Sequence, residues 1–390
     1  MKTRICVIFV TSLLFSIPAF PQGSLTPPGP PASTMKTLDQ VEPRTPISSL
    51  PFTISDSGSY YLTKNLRASA GQGGIVIQTA DVTLDLNGFG LYGALGAAGS
   101  HGITINGFTG NVTVKNGSLN DWKGRGVSTI NTLANCRFLD LRIRSSGTEG
   151  LFGGVKSIVE RCTVTGSGAA GISVSTQSLV KDCQSDNNGA AGIAVGNGSR
   201  VIGCGADSNT GSGISTGDTC LVSESSTRGN GGAAGIQMGN SCSAKNCVSD
   251  KNTGGADGIS GLENCTVSGC AAYNNPGSGI YLTDGGSVHD SSARFNKSIG
   301  FWLTKEGTIM NSNASFNNTG IVAAVVNSCT ARANEFDGID AESITNSVAY
   351  DNKSRGIFAP SGVVAFCKAY NNPTDISATG ATRTGNKPTP

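Results

Sequence analysis

The chain has 390 residues, of which 55 are Gly, while charged residues make up 14% and aromatic residues 6%. Because 37% of the residues are still apolar, the composition excludes a disordered chain. No Gly recurs at every third position, which excludes a collagen. The formal net charge of +2 indicates neither a nucleic-acid partner nor binding to an anionic membrane surface.

The N-terminal residues 1–23 are predicted to form a signal peptide. Lys2 and Arg4 precede an apolar run of signal-peptide length, which is shorter than the roughly 20 residues of a membrane span. We therefore expect an exported protein, secreted, periplasmic or held at the cell surface, without insertion into a membrane. Residues 24–44 are predicted to be a Pro-rich linker, and the polar, unpatterned residues 377–390 are predicted to be a flexible tail.

A Gly followed by an apolar residue recurs through the chain at intervals of 18 to 24 residues. Such a period indicates a solenoid, in which each unit buries its apolar face by stacking on its neighbours. The segments that begin at these Gly residues alternate apolar with small or polar residues, as strands do. Residues 45–376 are therefore predicted to form one all-β domain, a parallel β-helix of about fourteen turns. The repeat Gly residues are Gly102, Gly126, Gly150, Gly171, Gly192, Gly213, Gly235, Gly258, Gly279, Gly300, Gly320, Gly338 and Gly356.

Two further columns keep the same register. Asn stands four residues before the repeat Gly in six repeats, and this pattern predicts a structural ladder of stacked amides at a turn that tolerates left-handed backbone. Cys stands nine residues before the repeat Gly in five repeats, and we expect these side chains to be buried free thiols rather than disulfides. The two columns are Asn188, Asn209, Asn275, Asn296, Asn334 and Asn352, and Cys162, Cys183, Cys204, Cys270 and Cys329.

Three early segments carry a family resemblance. Residues 46–66 read PISSLPFTISDSGSYYLTKNL, residues 74–93 read GIVIQTADVTLDLNGFGLYG, and residues 111–127 read NVTVKNGSLNDWKGRGV. They resemble the opening of the secreted bacterial right-handed β-helix repeat proteins, which have the pectin-lyase-like superfold. The resemblance covers residues 45–376 and implies a single-stranded, right-handed parallel β-helix, but it implies no activity.

The catalytic signatures of related enzymes are not found in the sequence. There is no GHG motif of polygalacturonases and no DPHD motif of alginate epimerases, and no compact Asp cluster indicates a calcium site. His101 and His289 are isolated and are interpreted as turn or surface residues. We therefore predict no metal site and no cofactor, and calcium binding has no support in the sequence.

The outward positions of the Gly-apolar strands form a column whose character changes along the chain. Its first half holds small polar residues, and Tyr281 and Trp302 then stand on adjacent turns, followed by Asp340 and Phe358. Aromatic rings beside carboxylates and hydroxyls are typical of sugar-binding surfaces, and related enzymes bind polysaccharide on such a strand face. Tyr281, Trp302, Phe358 and the turn residue Asp284 are therefore predicted to bind substrate. The alternative is that Tyr281 and Trp302 are covered by a loop or only stabilise the sheet as a cross-strand pair.

Three residues near this column are candidates for catalysis. Asp340 and Glu342 lie two residues apart on one strand, with Cα atoms about 6.5–7 Å apart, and Lys305 could abstract a proton. The leading hypothesis is nevertheless an exported protein that presents a long binding face, for polysaccharide, without catalysis. The first alternative is a carbohydrate-active enzyme, a lyase, hydrolase or epimerase, and the second is a structural or adhesin spacer. The sequence does not indicate an oligomeric state.

Overall fold

The computed structural model describes residues 42–94, 100–106, 110–130 and 135–388. The predicted signal peptide, residues 1–23, and most of the predicted linker lie outside the described residues. The chain divides into the units Met1–Pro43 and Arg44–Pro390, and the described strands all belong to the second unit. Within the described ranges, no helix has both the length and the apolar character needed to cross a membrane.

The second unit is a right-handed parallel β-helix of about 15 turns, which confirms the predicted fold class and is close to the expected number of turns. Each turn passes through three strands, which we assign in chain order to sheets A, B and C. Each strand pairs in parallel with its equivalent one turn further on. In one turn, Tyr281 of sheet A pairs with Trp302, and Val288 of sheet B pairs with Ile309.

Sheet A contains the strands that follow or include the repeat Gly residues, together with equivalent strands before Gly102 and after Gly356. They are Phe52–Ile54, Ile75–Ile77, Ile103–Ile105, Val127–Thr129, Leu151–Gly153, Ile172–Val174, Ile193–Val195, Ile214–Thr216, Ala234–Met238, Asp257–Gly261, Ile280–Leu282, Ile299–Leu303, Arg355–Phe358 and Thr374–Ser377. Four longer strands turn a corner from one sheet into the next: Thr113–Asn120 and Arg137–Arg144 pass from sheet B to sheet C, and Thr319–Asn327 and Ile339–Thr345 pass from sheet A to sheet B.

Sheets B and C contain the remaining strands. Those of sheet B are Thr45–Ile47, Gly58–Leu62, Val82–Asp85, Ile158–Glu160, Leu179–Lys181, Arg200–Ile202, Leu221–Ser223, Ser243–Lys245, Thr266–Ser268, Ser287–His289, Thr308–Met310, Val363–Ala365 and Thr382–Thr384. Those of sheet C are Leu66–Arg67, Gly90–Tyr92, Thr163–Thr165, Gln184–Asp186, Gly205–Asp207, Ser226–Arg228, Val248–Asp250, Ala271–Tyr273, Ser292–Arg294, Asn313–Ser315, Thr330–Arg332, Val348–Tyr350, Lys368–Tyr370 and Lys387–Pro388.

Strand pairing extends into the segment predicted to be a flexible tail. Thr382–Thr384 pairs with Val363–Ala365, and Lys387–Pro388 pairs with the strand that begins at Lys368. These strands continue sheets B and C beyond residue 376, although the last repeat Gly is Gly356. The pairing persists because parallel strands bond through their backbones, which do not require the side-chain repeat.

Side chains from all three sheets fill the core of each turn. In one turn, sheet A contributes Ile280 and Leu282, sheet B contributes Val288, and sheet C contributes Ala293, all fully buried. The equivalent residues of the next turn stack directly on them. Full burial of one such large aliphatic side chain stabilises the fold by about 1.5–3 kcal/mol.

The predicted Asn ladder is present at the corner between sheets C and A. The Asn296 Nδ2 atom donates to Asn317 Oδ1 at 3.0 Å, and Asn275 Nδ2 donates to Asn296 Oδ1 at 3.0 Å. The same oxygens also accept backbone N–H groups, so each buried amide is held by several bonds. The ladder is longer than predicted. Asn230, Asn252 and Asn317 also belong to it although their spacing from the repeat Gly differs, and Asn372 extends it beyond the last repeat Gly.

The left-handed backbone predicted for the ladder Asn residues lies one residue earlier. Asn274 has a φ of 54°, whereas the ladder residue Asn275 is not among the residues of positive φ and points into the core. The other two corners of the same turn also contain left-handed residues, Asn264 with a φ of 58° and Gly269 with a φ of 62°. A left-handed residue at each corner lets the chain change direction sharply between short strands.

The repeat Gly residues are required by close packing against the ladder. A Cβ atom added to Gly279 would lie 2.6 Å from the carbonyl oxygen of Gly300 and 2.7 Å from Asn296 Nδ2. Any side chain at this position would therefore push the next turn away and break the amide bonds. This contact explains why the Gly and Asn columns keep nearly the same register.

The cysteines of the described residues are all buried free thiols, as expected. The Sγ atom of Cys270 donates to the carbonyl oxygen of Ser268 at 3.3 Å. Burial raises the pKa of the Cys136 and Cys329 thiols to about 11. At neutral pH these thiols are protonated, which makes them poor nucleophiles.

Substitution of a ladder amide tests its contribution to stability. We expect Asn296→Ala to lower the free energy of unfolding by about 3 kcal/mol, because the substitution leaves buried donors and acceptors of the adjacent turns without partners. The measurement is urea unfolding followed by far-UV circular dichroism. The matched control is Asn313→Ala at an exposed strand position, for which we expect a change below about 0.5 kcal/mol. Equal unfolding midpoints for the two variants would contradict the structural role of the ladder.

Candidate functional site

The outward column of sheet A has the register predicted from the sequence. Tyr281 pairs with Trp302, Trp302 with Val322, Val322 with Asp340, and Asp340 with Phe358. These side chains therefore follow one another along one face of the sheet. The structure places the predicted residues together on that face, while their role in binding stays a prediction.

Tyr281 and Trp302 form the aromatic platform of this face. Their ring centroids are 4.8 Å apart and the ring planes are inclined by 45°. Trp302 is 38% exposed and Tyr281 is half-buried. The pair thus interacts across neighbouring strands, as the alternative interpretation expected, but Trp302 is not covered by any described loop.

Asp284 lies at the corner that follows the Tyr281 strand, and two neighbours hold its carboxylate. Thr304 Oγ1 donates to Asp284 Oδ1 at 3.1 Å, and Lys305 Nζ lies 3.2 Å from Asp284 Oδ2. The Lys305 side chain is 80% exposed and is used in this ion pair. The structure therefore presents Lys305 as a solvated, ion-paired ammonium group beside the platform.

The guanidinium group of Arg355 lies over the Phe358 ring, at the other end of this face. The Arg355 guanidinium carbon lies 3.6 Å from the centre of the Phe358 ring, and Arg355 Nη2 lies 2.6 Å from Asp337 Oδ2. Burial raises the pKa of Asp340 above its ordinary value, against the opposing effect of Arg355 and with a further increase from the Asp337 carboxylate. Glu342 is exposed at the bend where its strand passes from sheet A to sheet B.

A groove of about 330 Å³ continues the same face on the other side of Tyr281. Its lining includes the outward residues Gln237 and Ser260 and the carboxylate of Asp257. The backbone N–H of Ser278 donates to Asp257 Oδ1 at 2.6 Å. Burial raises the pKa of Asp257 to about 6, although that hydrogen bond lowers it. Sequence analysis missed Asp257, and its only signal was a carboxylate directly before the repeat Gly258.

The described residues contain no group of three or more His, Cys, Asp or Glu side chains arranged to hold a metal ion. His101 Nδ1 accepts the backbone N–H of Arg125 at 2.8 Å. His289 Nδ1 lies 3.0 Å from the carboxylate of Asp290. The two imidazoles therefore have separate local partners.

A family model described as the right-handed beta helix region matches residues 53–226. The chain is a right-handed parallel β-helix protein. No curated protein matches the sequence.

Several solved structures are similar to this β-helix protein. The Dettilon tailspike protein is 11% identical with a TM-score of 0.43, and the alignment covers 67% of this chain and 61% of the tailspike chain. The A-module of the Azotobacter vinelandii mannuronan C-5 epimerase AlgE4 is 13% identical with a TM-score of 0.39, covering 84% of this chain and 91% of that chain. The periplasmic alginate epimerase AlgG is 12% identical with a TM-score of 0.41, covering 85% of this chain and 78% of that chain.

Sheet C of the β-helix protein carries a second aromatic surface, which sequence analysis missed. Phe295 and Phe316 stack with centroids 4.9 Å apart, and Tyr350 and Tyr370 stack at the same distance. We call these four residues the aromatic ladder. Both Phe residues directly precede an Asn of the amide ladder, and this position in the sequence was the sign that could have located them at the same corner.

The two Phe residues of the aromatic ladder adopt an unfavourable backbone conformation. Phe295 has a φ of 56° and Phe316 has a φ of 57°. A left-handed residue other than Gly costs about 1–2 kcal/mol, and Asn and Asp are the usual exceptions. Other turns place Asn, Gly, Ser, Lys, Ala or Asp at this corner, as at Asn187, Gly229, Ser208, Lys251, Ala333 and Asp351. The aromatic side chains are therefore not required by the fold at these positions.

The raised pKa of Asp257 gives a pH-dependent contribution to stability. Its pKa is about 6 in the folded chain and about 3.9 in an unfolded chain, so the folded state binds the proton more tightly and stability falls as the pH rises between these values. The Asp257→Asn variant has no titrating group at this position, so it does not lose stability in this way as the pH rises. We expect the variant to gain about 2 kcal/mol in free energy of unfolding relative to the wild type on going from pH 4 to pH 7.

Parallel urea titrations of the wild type and the Asp257→Asn variant at the two pH values measure this difference. The control is Asp351→Asn, which replaces an exposed, ion-paired carboxylate at a left-handed corner that accommodates Asn. If the stability difference between wild type and Asp257→Asn is the same at both pH values, the assignment to Asp257 is wrong.

Proposed function

We propose that this β-helix protein binds polysaccharide along the outer face of sheet A. The observation that carries the proposal is the aromatic platform, in which Tyr281 and the exposed Trp302 lie 4.8 Å apart on adjacent turns. Exposed rings of this kind pack against the apolar C–H faces of sugars, and exposed apolar surface on a soluble protein commonly serves in binding. The predicted signal peptide, residues 1–23, would bring the protein to extracellular or periplasmic glycans.

Polar groups on both sides of the platform support the proposal. On one side, Asp284 accepts bonds from Thr304 and Lys305, and a carboxylate retains further acceptor sites for sugar hydroxyls. On the other side, the groove offers the side chains of Gln237 and Ser260. Since equivalent residues of successive turns are about 4.8 Å apart, a chain of sugars can contact several turns of the sheet.

Catalysis at the same face is a second candidate function, and the raised pKa of Asp340 favours it. A carboxyl group that is protonated at a higher pH than usual can donate a proton to a leaving group. Glu342, exposed at the adjacent bend, would then be the second carboxylate that glycoside hydrolysis requires. Lys305 is a weaker candidate for proton abstraction because its ammonium group is paired with Asp284.

The platform is tested by binding measurements on a panel of neutral and uronate-containing polysaccharides. We expect Trp302→Ala to weaken binding at least about tenfold, and Tyr281→Ala to have a similar effect, because each substitution removes one ring of the platform. The matched control is Phe366→Asn, which removes a 65% exposed ring from a left-handed corner between sheets B and C. Binding that is equal in all three variants would contradict the proposal, and the absence of binding to any glycan by the folded wild type would favour the spacer interpretation.

Turnover separates binding from catalysis. The polysaccharide that binds best is incubated with the wild type and with Asp340→Asn, and new reducing ends, unsaturated products and epimerised residues are measured. If sheet A is catalytic, the variant loses at least about a hundredfold in rate while it still binds the polysaccharide, because the proton donor is removed and the platform is retained. The same products at the same rate from both proteins would exclude Asp340 as a catalytic residue.

A further inference from the structure

A second groove, of about 460 Å³, opens on sheet C, away from the sheet A platform. Its volume lies within the range of small-molecule sites. The apolar part of its lining includes Val248, Tyr273 and Phe295, and the polar part includes Asp250, Asn274 and Arg294. Nothing in the sheet A site uses these residues.

The Phe295 side chain lines this groove and is 46% exposed. Phe316 of the next turn covers one face of its ring, with the two ring planes inclined by only 20°. The Arg294 guanidinium carbon lies 4.6 Å from the Phe295 ring centre and 5.1 Å from the Phe316 ring centre. Because these distances are nearly equal, Arg294 lies alongside the stack and does not cover the outer face of Phe295.

The exposure of Phe295 indicates that its ring is not needed to fill the core. The residue is left-handed and 46% exposed, and Phe316 is left-handed and 37% exposed. Other turns place residues as different as Asn274, Lys251 and Ala333 at this left-handed corner, so the fold does not require an aromatic side chain there.

The charges in the groove favour an anion near Arg294. Among the described residues, Arg294 has no ion pair or side-chain hydrogen bond, so its guanidinium N–H groups are available. Asp250, in contrast, already accepts a bond from Asn274 Nδ2 at 2.9 Å and lies 3.6 Å from Arg228 Nε. A guanidinium group can bind a carboxylate through two parallel hydrogen bonds.

We infer that the sheet C groove binds a carboxylate-bearing sugar residue, a uronate, whose ring packs on Phe295 and whose carboxylate binds Arg294. The amide oxygen of Asn274, which lines the groove, is available to accept a hydrogen bond from a sugar hydroxyl. The site does not depend on the proposed function of sheet A. With both sites occupied, one molecule would bind acidic polysaccharide through two of its three sheets.

The test uses the full chain carrying Trp302→Ala, so that the sheet A platform is disabled. This protein is titrated by calorimetry with trigalacturonate and, separately, with its fully methyl-esterified form. We expect trigalacturonate to bind at least tenfold more tightly than the ester. Adding Arg294→Gln should abolish that preference, because the charged partner of the carboxylate is lost.

A second variant separates loss of binding from loss of folding. Phe295→Asn introduces the residue found at this corner in other turns, so we expect an unchanged or higher melting temperature together with at least tenfold weaker trigalacturonate binding. The sheet C site is overturned if the folded Trp302→Ala protein does not bind trigalacturonate, if it binds the ester equally well, or if Arg294→Gln and Phe295→Asn leave the affinity unchanged. In the wild-type background, uronate binding that depends only on Trp302 would overturn the sheet C site while supporting the sheet A platform.

Discussion

The buried amide ladder is the interaction on which the alignment of the turns depends. Each ladder Asn bonds the amide of the next turn and also accepts a backbone N–H, as Asn296 does between Asn275 and Asn317. A shift of one residue between turns would leave these buried groups without partners, which is more unfavourable than the loss of an exposed bond. The absence of a side chain at Gly279 and its equivalents provides the space that the ladder needs. Register is therefore set at one corner and transmitted to all three sheets.

A fixed register turns the surface into aligned columns of side chains. Stacking places Tyr281 beside Trp302 on sheet A and Phe295 beside Phe316 at the edge of sheet C. The inward positions hold mainly apolar or small side chains, from Ala331 to Phe301, because they pack in the core. Charged side chains consequently lie in the outward columns and at the corners, where both candidate sites lie.

The sequence was sufficient for the fold and for one of the two surfaces. The Gly period and the Asn column identified the parallel solenoid, and the outward column of sheet A followed from alternation alone. The conformation of the corners was harder to predict: the left-handed residue is Asn274, whereas the pattern suggested its neighbour Asn275. Asn317 was missed because its turn is shorter, so that it stands three residues before Gly320 instead of four.

Sequence analysis missed Asp257 and the sheet C groove because both depend on packing between neighbouring turns, which the sequence repeat does not reveal. The pKa of Asp257 is raised by the burial that neighbouring turns impose, and this burial is not visible in the local sequence. The groove beside Phe295 combines residues of three successive turns, among them Val248, Tyr273 and Arg294. Recognising it requires the outward column of sheet C and the corner residues to be considered together.

The buried free thiols make unfolding irreversible in an oxidising medium. In the folded chain, burial keeps thiols such as Cys136 and Cys329 protonated and inaccessible, so an oxidising medium reacts with them slowly. Once the turns separate, the same side chains regain an ordinary thiol pKa of about 8.5 and can cross-link in many combinations. Outside a reducing compartment, the protein is thus protected by the rate at which it opens, and an opened molecule is removed from the folding equilibrium by oxidation.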